Sequence, residues 1–362
     1  MMRRCGLALL AAAALACGDA TAPPASGEPI ELSADWIRAA PAAEGFDPAA
    51  LTSALDAAGA VEGLRSLLVV RFGRLVVERY FGGSSPDSLY ALRSVTKSVM
   101  SLLVGGAIAS GSIRSVDQPL AELFGPPLPA LNAAQGAITV RNLLTMSAGF
   151  EWNELGDVSE YNDWVLARDQ LDYLLARPLI APPGTTFSYN SAAVHLLSAV
   201  LQEHAGGTAA FADARLLGPL GITQRDWEVD DRGIPNGGAG LYLRPLDMAK
   251  LGQLVLQRGR SGSKEVIPTA WIDESIRAHI VPHSSVPGLG DLGYGYLWWL
   301  GRSGGHDAAF AWGYGGQFIY IVPDLDLVVV TTATWQGLGT GQAAQAESIL
   351  AFIATRIAPT AL

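Results

Sequence analysis

The order of elements along the chain predicts an α+β fold, an antiparallel sheet flanked by helices with an all-helical domain inserted into it (an α/β sandwich). Three observations carry this. Segments rich in β-branched residues come as hairpin pairs near both ends of the body, apolar residues between Leu120 and Leu256 recur mostly at helical spacing, and an amphipathic helix closes the chain. Strands first, helices in the middle and strands last make one sheet built from both ends. At 362 residues, 49% hydrophobic and 16% charged with nine tryptophans, the chain has ample material for a buried core, which excludes a mainly disordered protein.

Residues 1–17 read as a leader. Arg3 and Arg4 form a basic start, and the apolar run from Gly6 to Ala16 is shorter than the roughly 20 residues of a membrane span but suits a secretory core. Its end, Ala14-Leu15-Ala16-Cys17, resembles a bacterial lipoprotein processing site, so Cys17 is the expected lipidation point. That makes the chain an exported bacterial protein, periplasmic or in the cell envelope and lipid-anchored to a membrane. Ordinary secretion after small residues and an uncleaved helix are the other two readings. Residues 18–29, small and rich in proline, form a flexible tether. The body divides into an α/β domain (30–120 plus 250–362) and an inserted helical domain (121–249).

Within the body, Ser66 to Arg71 and Leu75 to Phe81 flank a turn at Gly73, the first hairpin. Helical spacing then runs over Val140 to Met146, Tyr161 to Leu175 and Ala192 to Gln202. Gln317 to Val322 and Leu327 to Thr332 flank Pro323 to Asp326 as a second hairpin. Gln342 to Ile357 is the closing helix. The net charge of −10 argues against nucleic acid, whose binding needs clustered Lys and Arg. The two cysteines, Cys5 and Cys17, both lie in the leader, so no disulfide staples the body.

Chemistry concentrates in Ser94-Val95-Thr96-Lys97. On a helix ending near Gly111, Ser94, Lys97, Ser98 and Ser101 fall at i, i+3, i+4 and i+7, one polar stripe on a cylinder otherwise apolar. Such a helix is buried nearly all round, so its stripe must meet polar groups or a cleft. Lys97, one of three lysines in the chain, is the informative residue. Desolvation lowers a lysine's pKa, which suits it to accept a serine proton, and at i+3 its amine reaches the Ser94 hydroxyl. The helix N-terminus adds a field that favours the developing alkoxide.

Competing motifs are weaker. Ser261-Gly-Ser-Lys264 has the same spacing but sits in a Gly- and Arg-rich stretch with no buried helix behind it, and reads as a solvated turn. Gly301-Arg-Ser303-Gly-Gly305 lacks the helix of a nucleophile elbow. Gly288-Leu-Gly290-Asp-Leu-Gly293 lacks the strand and helix of a dinucleotide site. His195, His204, His279, His283 and His306 show no metal-ligand spacing, and His195 reads as a core residue. Neither a cofactor nor a metal is expected.

At this point the sequence resembles the serine β-lactamase-like hydrolases, which include class C β-lactamases, penicillin-binding proteins, D-aminopeptidases, carboxylesterases and 6-aminohexanoate-dimer hydrolases. The resemblance covers nearly the whole body. It rests on Leu68–Phe81, Arg93-Ser-Val-Thr-Lys-Ser98, Ile138–Gly149, Pro183-Gly-Thr-Thr-Phe-Ser-Tyr189, Pro245–Gly252 and Gly313–Pro323, in that order; the last block is closest to the dimer-hydrolase and esterase-like branch. It implies the β-lactamase/transpeptidase-like fold, with Ser94 acylated, Lys97 taking its proton and Tyr189 relaying protons to the leaving group.

Two departures stand out. In the Tyr-x-Asn motif, Asn190 is one place early and Ser191 holds the third position; the family's Lys-Thr-Gly strand is replaced by Trp312-Gly-Tyr-Gly-Gly316. The lost lysine makes a β-lactam substrate less expected. Substrate contacts are then assigned to Asn190, Ser191 and Trp312, and the oxyanion hole to the Ser94 N–H with one from Gly315 or Gly316. The expected activity is hydrolysis of a small ester, amide or peptide-like molecule. The alternatives are a penicillin-binding or sensor-type lipoprotein acylated without turnover, and an inactive relative. The segments Asn153 to Trp164 and His279 to Gly293 are expected to rim the cleft, with Trp152, Tyr161, Trp164, Trp298 and Trp312 as an apolar pocket.

Overall fold

The computed structural model describes residues 27–155, 158–282, 286, 288–335 and 342–361. The leader with Cys17, most of the tether, and His283 lie outside the described residues.

Seven strands form the main sheet: β1 (Leu64–Arg71), β2 (Arg74–Tyr80), β3 (Gly290–Tyr294), β4 (Trp299–Ser303), β5 (His306–Gly313), β6 (Gln317–Val322) and β7 (Leu327–Ala333). Their spatial order is β2-β1-β7-β6-β5-β4-β3, with every neighbouring pair antiparallel. The last strand pairs with the first, Leu68 opposite Val330 and Val70 opposite Val328. The sheet is thus closed by both ends of the chain. β6 and β7 are buried along their whole length, which is why both read as unbroken apolar runs rather than alternating ones.

Five of the helices frame it. α1 (Pro48–Ala58) starts where Pro48 fixes the first turn and the Asp47 carboxylate accepts from the N–H groups of Ala49 and Ala50. α2 (Val95–Ser110) packs against both β5 and α3 (Ser191–His204). α4 (Pro245–Leu256) lies on β1, β6 and β7. A Cβ at Gly252 would sit 2.6 Å from Val328 Cγ1 and 2.8 Å from Ile319 Cγ2, so the glycine lets this helix approach the sheet closely. α5 (Gln342–Phe352) continues through Ile353–Ile357, which packs against α1.

Three sequence expectations need correction. The segment 121–249 is not all-helical: Asp226–Trp227 and Leu241–Leu243 join Tyr90–Ala91 in a small three-stranded sheet. That sheet ties the insertion to the turn before α2, because the Leu92 N–H donates to the Leu241 carbonyl (2.8 Å). The helix expected over Tyr161 to Leu175 is two, Val158–Val165 and Gln170–Leu175, the second capped afresh by the Asp169 side chain. The division expected at 250 falls inside α4, which packs on the sheet as one piece.

Strands β3 and β4 had no expectation, and the strand expected at Trp312–Gly316 is corrected: Trp312 and Gly313 end β5, and residues 314–316 are the turn into β6. Gly290, Gly293, Gly301 and Gly313 interrupt the apolar pattern of β3 to β5. Gly304 and Gly305, with φ of +60° and +91°, make the two-residue turn between β4 and β5. The Gly-x-Ser-x-Gly letters are therefore a hairpin. Likewise, Ser261 and Lys264 face each other across the tight turn of a two-stranded ribbon.

Candidate active site

The site begins with a strained turn. Arg93 has φ +51°, a left-handed conformation uncommon for a residue with a side chain. Ser94 then takes the N-cap position of α2, yet its side chain caps nothing. A serine there normally bonds to the first turn; this one instead accepts from Lys97 Nζ at 2.8 Å. Ser94 is half-buried, while Lys97 is 1% exposed.

Lys97 has two further acceptors, Ser191 Oγ at 2.8 Å and the Gly238 carbonyl at 2.7 Å, and its amine lies 4.8 Å from the centroid of the Tyr189 ring. Burial pushes its pKa down from 10.5 to about 8, opposed by the charge of Glu154. Tyr189, 8% exposed, stacks on Trp299 with centroids 5.8 Å apart. Burial and the Glu154 charge raise its phenol pKa strongly, against a hydrogen-bonding contact with the Ser94 side chain. The phenol stays protonated wherever Lys97 is neutral. The Ser94 N–H donates to no group among the described residues.

The expected polar stripe divides after one turn. Ser94 and Lys97 meet each other, whereas the Ser98 hydroxyl donates to the Leu297 carbonyl (2.7 Å) inside the protein, and Ser101 is buried where its carbonyl accepts from the Trp271 indole. His195 is a buried core residue whose Nε2 lies 3.0 Å from Asp230 Oδ2. Among the described residues no group of three or more His, Cys, Asp or Glu could hold a metal ion. No described helix is long and apolar enough to cross a membrane.

The end of β5 abuts the turn that carries Ser94. A Cβ on Gly313 would lie 2.3 Å from the Leu92 carbonyl oxygen, which itself accepts from the Val95 N–H. Replacing Gly313 by alanine must therefore shift the backbone on which Ser94 rides. A misplacement of about 1 Å costs about 100-fold in rate, so kcat is expected to fall by that order with the protein still folded; an unchanged kcat would contradict the contact.

A beta-lactamase family model matches residues 49–352, which takes in both hairpins, Ser94, Lys97 and Tyr189. The chain belongs to the beta-lactamase family. It is 25% identical over 289 residues to a 6-aminohexanoate-dimer hydrolase of Paenarthrobacter ureafaciens, covering 75% of this chain and 72% of that one. To esterase EstB of Burkholderia gladioli it is 29% identical over 214 residues, half of this chain and 53% of the esterase. Among solved structures, an octameric penicillin-binding protein homologue from Pyrococcus abyssi superposes with a TM-score of 0.67 at 21% identity, covering 85% of this chain and 77% of the other. The chain is thus a beta-lactamase-family hydrolase with amide- and ester-hydrolase relatives.

In this hydrolase the remaining expected site residues separate. Asn190 caps α3: its side-chain oxygen accepts from the Ala193 N–H (2.8 Å). Ser191 contacts the Lys97 amine. Gly316 is corrected, since its N–H donates to the Gly313 carbonyl (3.1 Å) within the turn and its Cα backs onto Ile349. Gly315 packs against Trp335 and its N–H makes no hydrogen bond among the described residues. Trp312 is half-buried and lies 5.4 Å from Trp299. Trp164 and Trp298 belong to the core.

Beside Tyr189 opens a cavity of about 200 Å³ lined by Trp152, Asn153, Glu154, Leu155, Phe187 and Ser188. The expected rim from Asn153 onward lies here, whereas Gly290 to Gly293, from the other expected rim, belong to edge strand β3. Sequence reasoning missed Glu154 and Trp299. No local pattern marks either one, because Glu154 meets Ser191 across 37 residues of chain.

Proposed function

We propose that this hydrolase cleaves a small ester or amide through an acyl-enzyme on Ser94. One observation carries the reading: a desolvated amine with a pKa near 8 lies 2.8 Å from a serine hydroxyl that caps nothing, with a protonated phenol beside it. Lys97 takes the Ser94 proton as Oγ bonds to the substrate carbonyl carbon. Tyr189 protonates the leaving alcohol or amine as its bond to that carbon breaks, and is reprotonated from Lys97. Water then attacks the ester on Ser94 by the reverse proton path. The Ser94 N–H, with the Gly315 N–H as second donor, holds the oxyanion; each such donor is worth about 3 kcal/mol.

The dimer hydrolase and the esterase among the relatives favour linear amides and esters, and the Trp312 strand lacks the lysine that would hold a substrate carboxylate. A panel of p-nitrophenyl esters, linear amides, D-peptides and β-lactams tests the reading. Steady turnover of an ester or linear amide supports it; labelling that stops at one equivalent with every member supports an acylated sensor instead. Tyr189→Phe keeps the ring on Trp299 but removes the proton donor, so kcat is expected to fall about 10²–10⁴-fold, most for substrates with poor leaving groups. Equal loss across leaving groups would contradict the proton-donor role. We propose a lipid anchor at Cys17 from the leader pattern alone, tested by radiolabelled palmitate in the wild type and Cys17→Ala.

A further inference from the structure

We propose that Glu154 is a positioning residue of the catalytic apparatus, which orients the Ser191 hydroxyl so that neutral Lys97 is left with its lone pair facing Ser94. This deepens the reading of Lys97 as the base and rests on it. Glu154 Oε1 accepts from Ser191 Oγ at 2.5 Å, while Oε2 accepts from the Ser191 N–H (2.8 Å) and from Trp152 Nε1 (3.0 Å). Both carboxylate oxygens are thereby engaged at the start of α3.

The argument is one of proton counting. An ionised carboxylate only accepts, so the single proton of the Ser191 hydroxyl is committed to Glu154. Ser191 can then only accept from Lys97, and the Gly238 carbonyl can only accept as well. A neutral amine has two N–H bonds and one lone pair. Both N–H bonds are taken by Ser191 and Gly238, which leaves the lone pair for the third neighbour, the Ser94 hydroxyl. Without the carboxylate, Ser191 could turn its proton onto the amine and occupy that lone pair. In the reaction the Ser94 O–H bond breaks and a Lys97 N–H bond forms; no proton passes to or from Glu154.

The charge of Glu154 also favours the ammonium once formed, opposing the burial that depresses the Lys97 pKa. The groups facing Lys97 are Ser94, Ser191, Gly238 and the Tyr189 ring. Glu154 is faced by Ser191 and Trp152, and its charge reaches Tyr161, Tyr189 and Tyr294; Arg93 and Glu228 also act on Tyr161.

The test uses the full chain, a fluorophosphonate probe and a p-nitrophenyl ester. In Glu154→Gln, kcat is expected to fall about 100-fold with KM within about twofold, and the acid limb of kcat/KM moves to lower pH as the carboxylate charge is lost. Ser191→Ala is expected to slow labelling of Ser94 at least about tenfold, and adding Glu154→Gln to it costs little more, because both act through one hydroxyl. Wild-type kcat with an unmoved limb in Glu154→Gln, or losses that simply add, would overturn the proposal. If Glu154→Gln does not fold, Ser191→Ala decides alone: labelling at the wild-type rate overturns it. Failure of the probe to label Ser94 in the wild type sinks the catalytic reading itself, a separate outcome.

Discussion

Ser94→Ala is expected to lower kcat/KM for a short p-nitrophenyl ester about 10⁴-fold or more and to leave the fold intact. The two effects separate because of how this serine is used. Its hydroxyl makes no cap bond to α2, so removing it takes nothing from the helix start. Lys97 loses one of three acceptors and keeps Ser191 and Gly238. The backbone N–H of residue 94 remains, so residual binding of the carbonyl survives. Wild-type turnover by the purified variant, with one cooperative unfolding transition in each protein, would contradict the assignment.

Lys97→Met has the second largest expected effect, about 10³–10⁴-fold in kcat, and it carries a pH signature. With Lys97 as the proposed base, kcat/KM is expected to rise with pH along a limb centred near the folded pKa of about 8. Stability follows the same group. The unfolded chain holds this proton up to about 10.5, the folded chain only up to about 8. Between those values the unfolded state binds more protons, so stability rises with pH there. Below about pH 8 the lysine is charged in both states and the burial cost is fully present; above about pH 10.5 it is gone. The amine is buried and little screened by solvent, and the difference amounts to about 3 kcal/mol. Methionine has no such cost at any pH. The unfolding free energy of Lys97→Met minus that of the wild type is thus expected to fall by that amount between pH 7.5 and 10.5. A difference that does not change with pH would mean the amine is not desolvated.

Much of this site was legible because a lysine one turn beyond a serine, on a helix whose other faces carry Val, Leu, Met, Ile and Ala, cannot be placed cheaply. Burial then dictates both its altered pKa and its need for polar neighbours. The outer hairpins were legible for a similar reason, since Leu68-Val69-Val70 and Val328-Val329-Val330 are buried on both faces of the sheet and carry no competing signal. Strands β3, β4 and most of β5 were not, because glycines that serve a hairpin turn and the close approach to Leu92 erase the alternation that marks a strand. Tyr189 became visible only through the family resemblance, as an aromatic before a helix has a commoner use in packing. Asn190 shows the opposite case. An Asn directly before an apolar helical run is a cap signal, and the structure uses it as one. Glu154 had no sequence signal, for its partner Ser191 lies at the start of α3, and only the packing of the insertion brings the two together.

Mass spectrometry of the acyl-enzyme tests the central claim most directly. The full-length protein is mixed with a slowly turned-over ester, quenched in acid within the steady state and digested. The account predicts one acyl adduct, on the peptide carrying Ser94, that disappears as free acid accumulates and is absent from Ser94→Ala. Turnover with no adduct on Ser94, or an adduct on another residue, would contradict it.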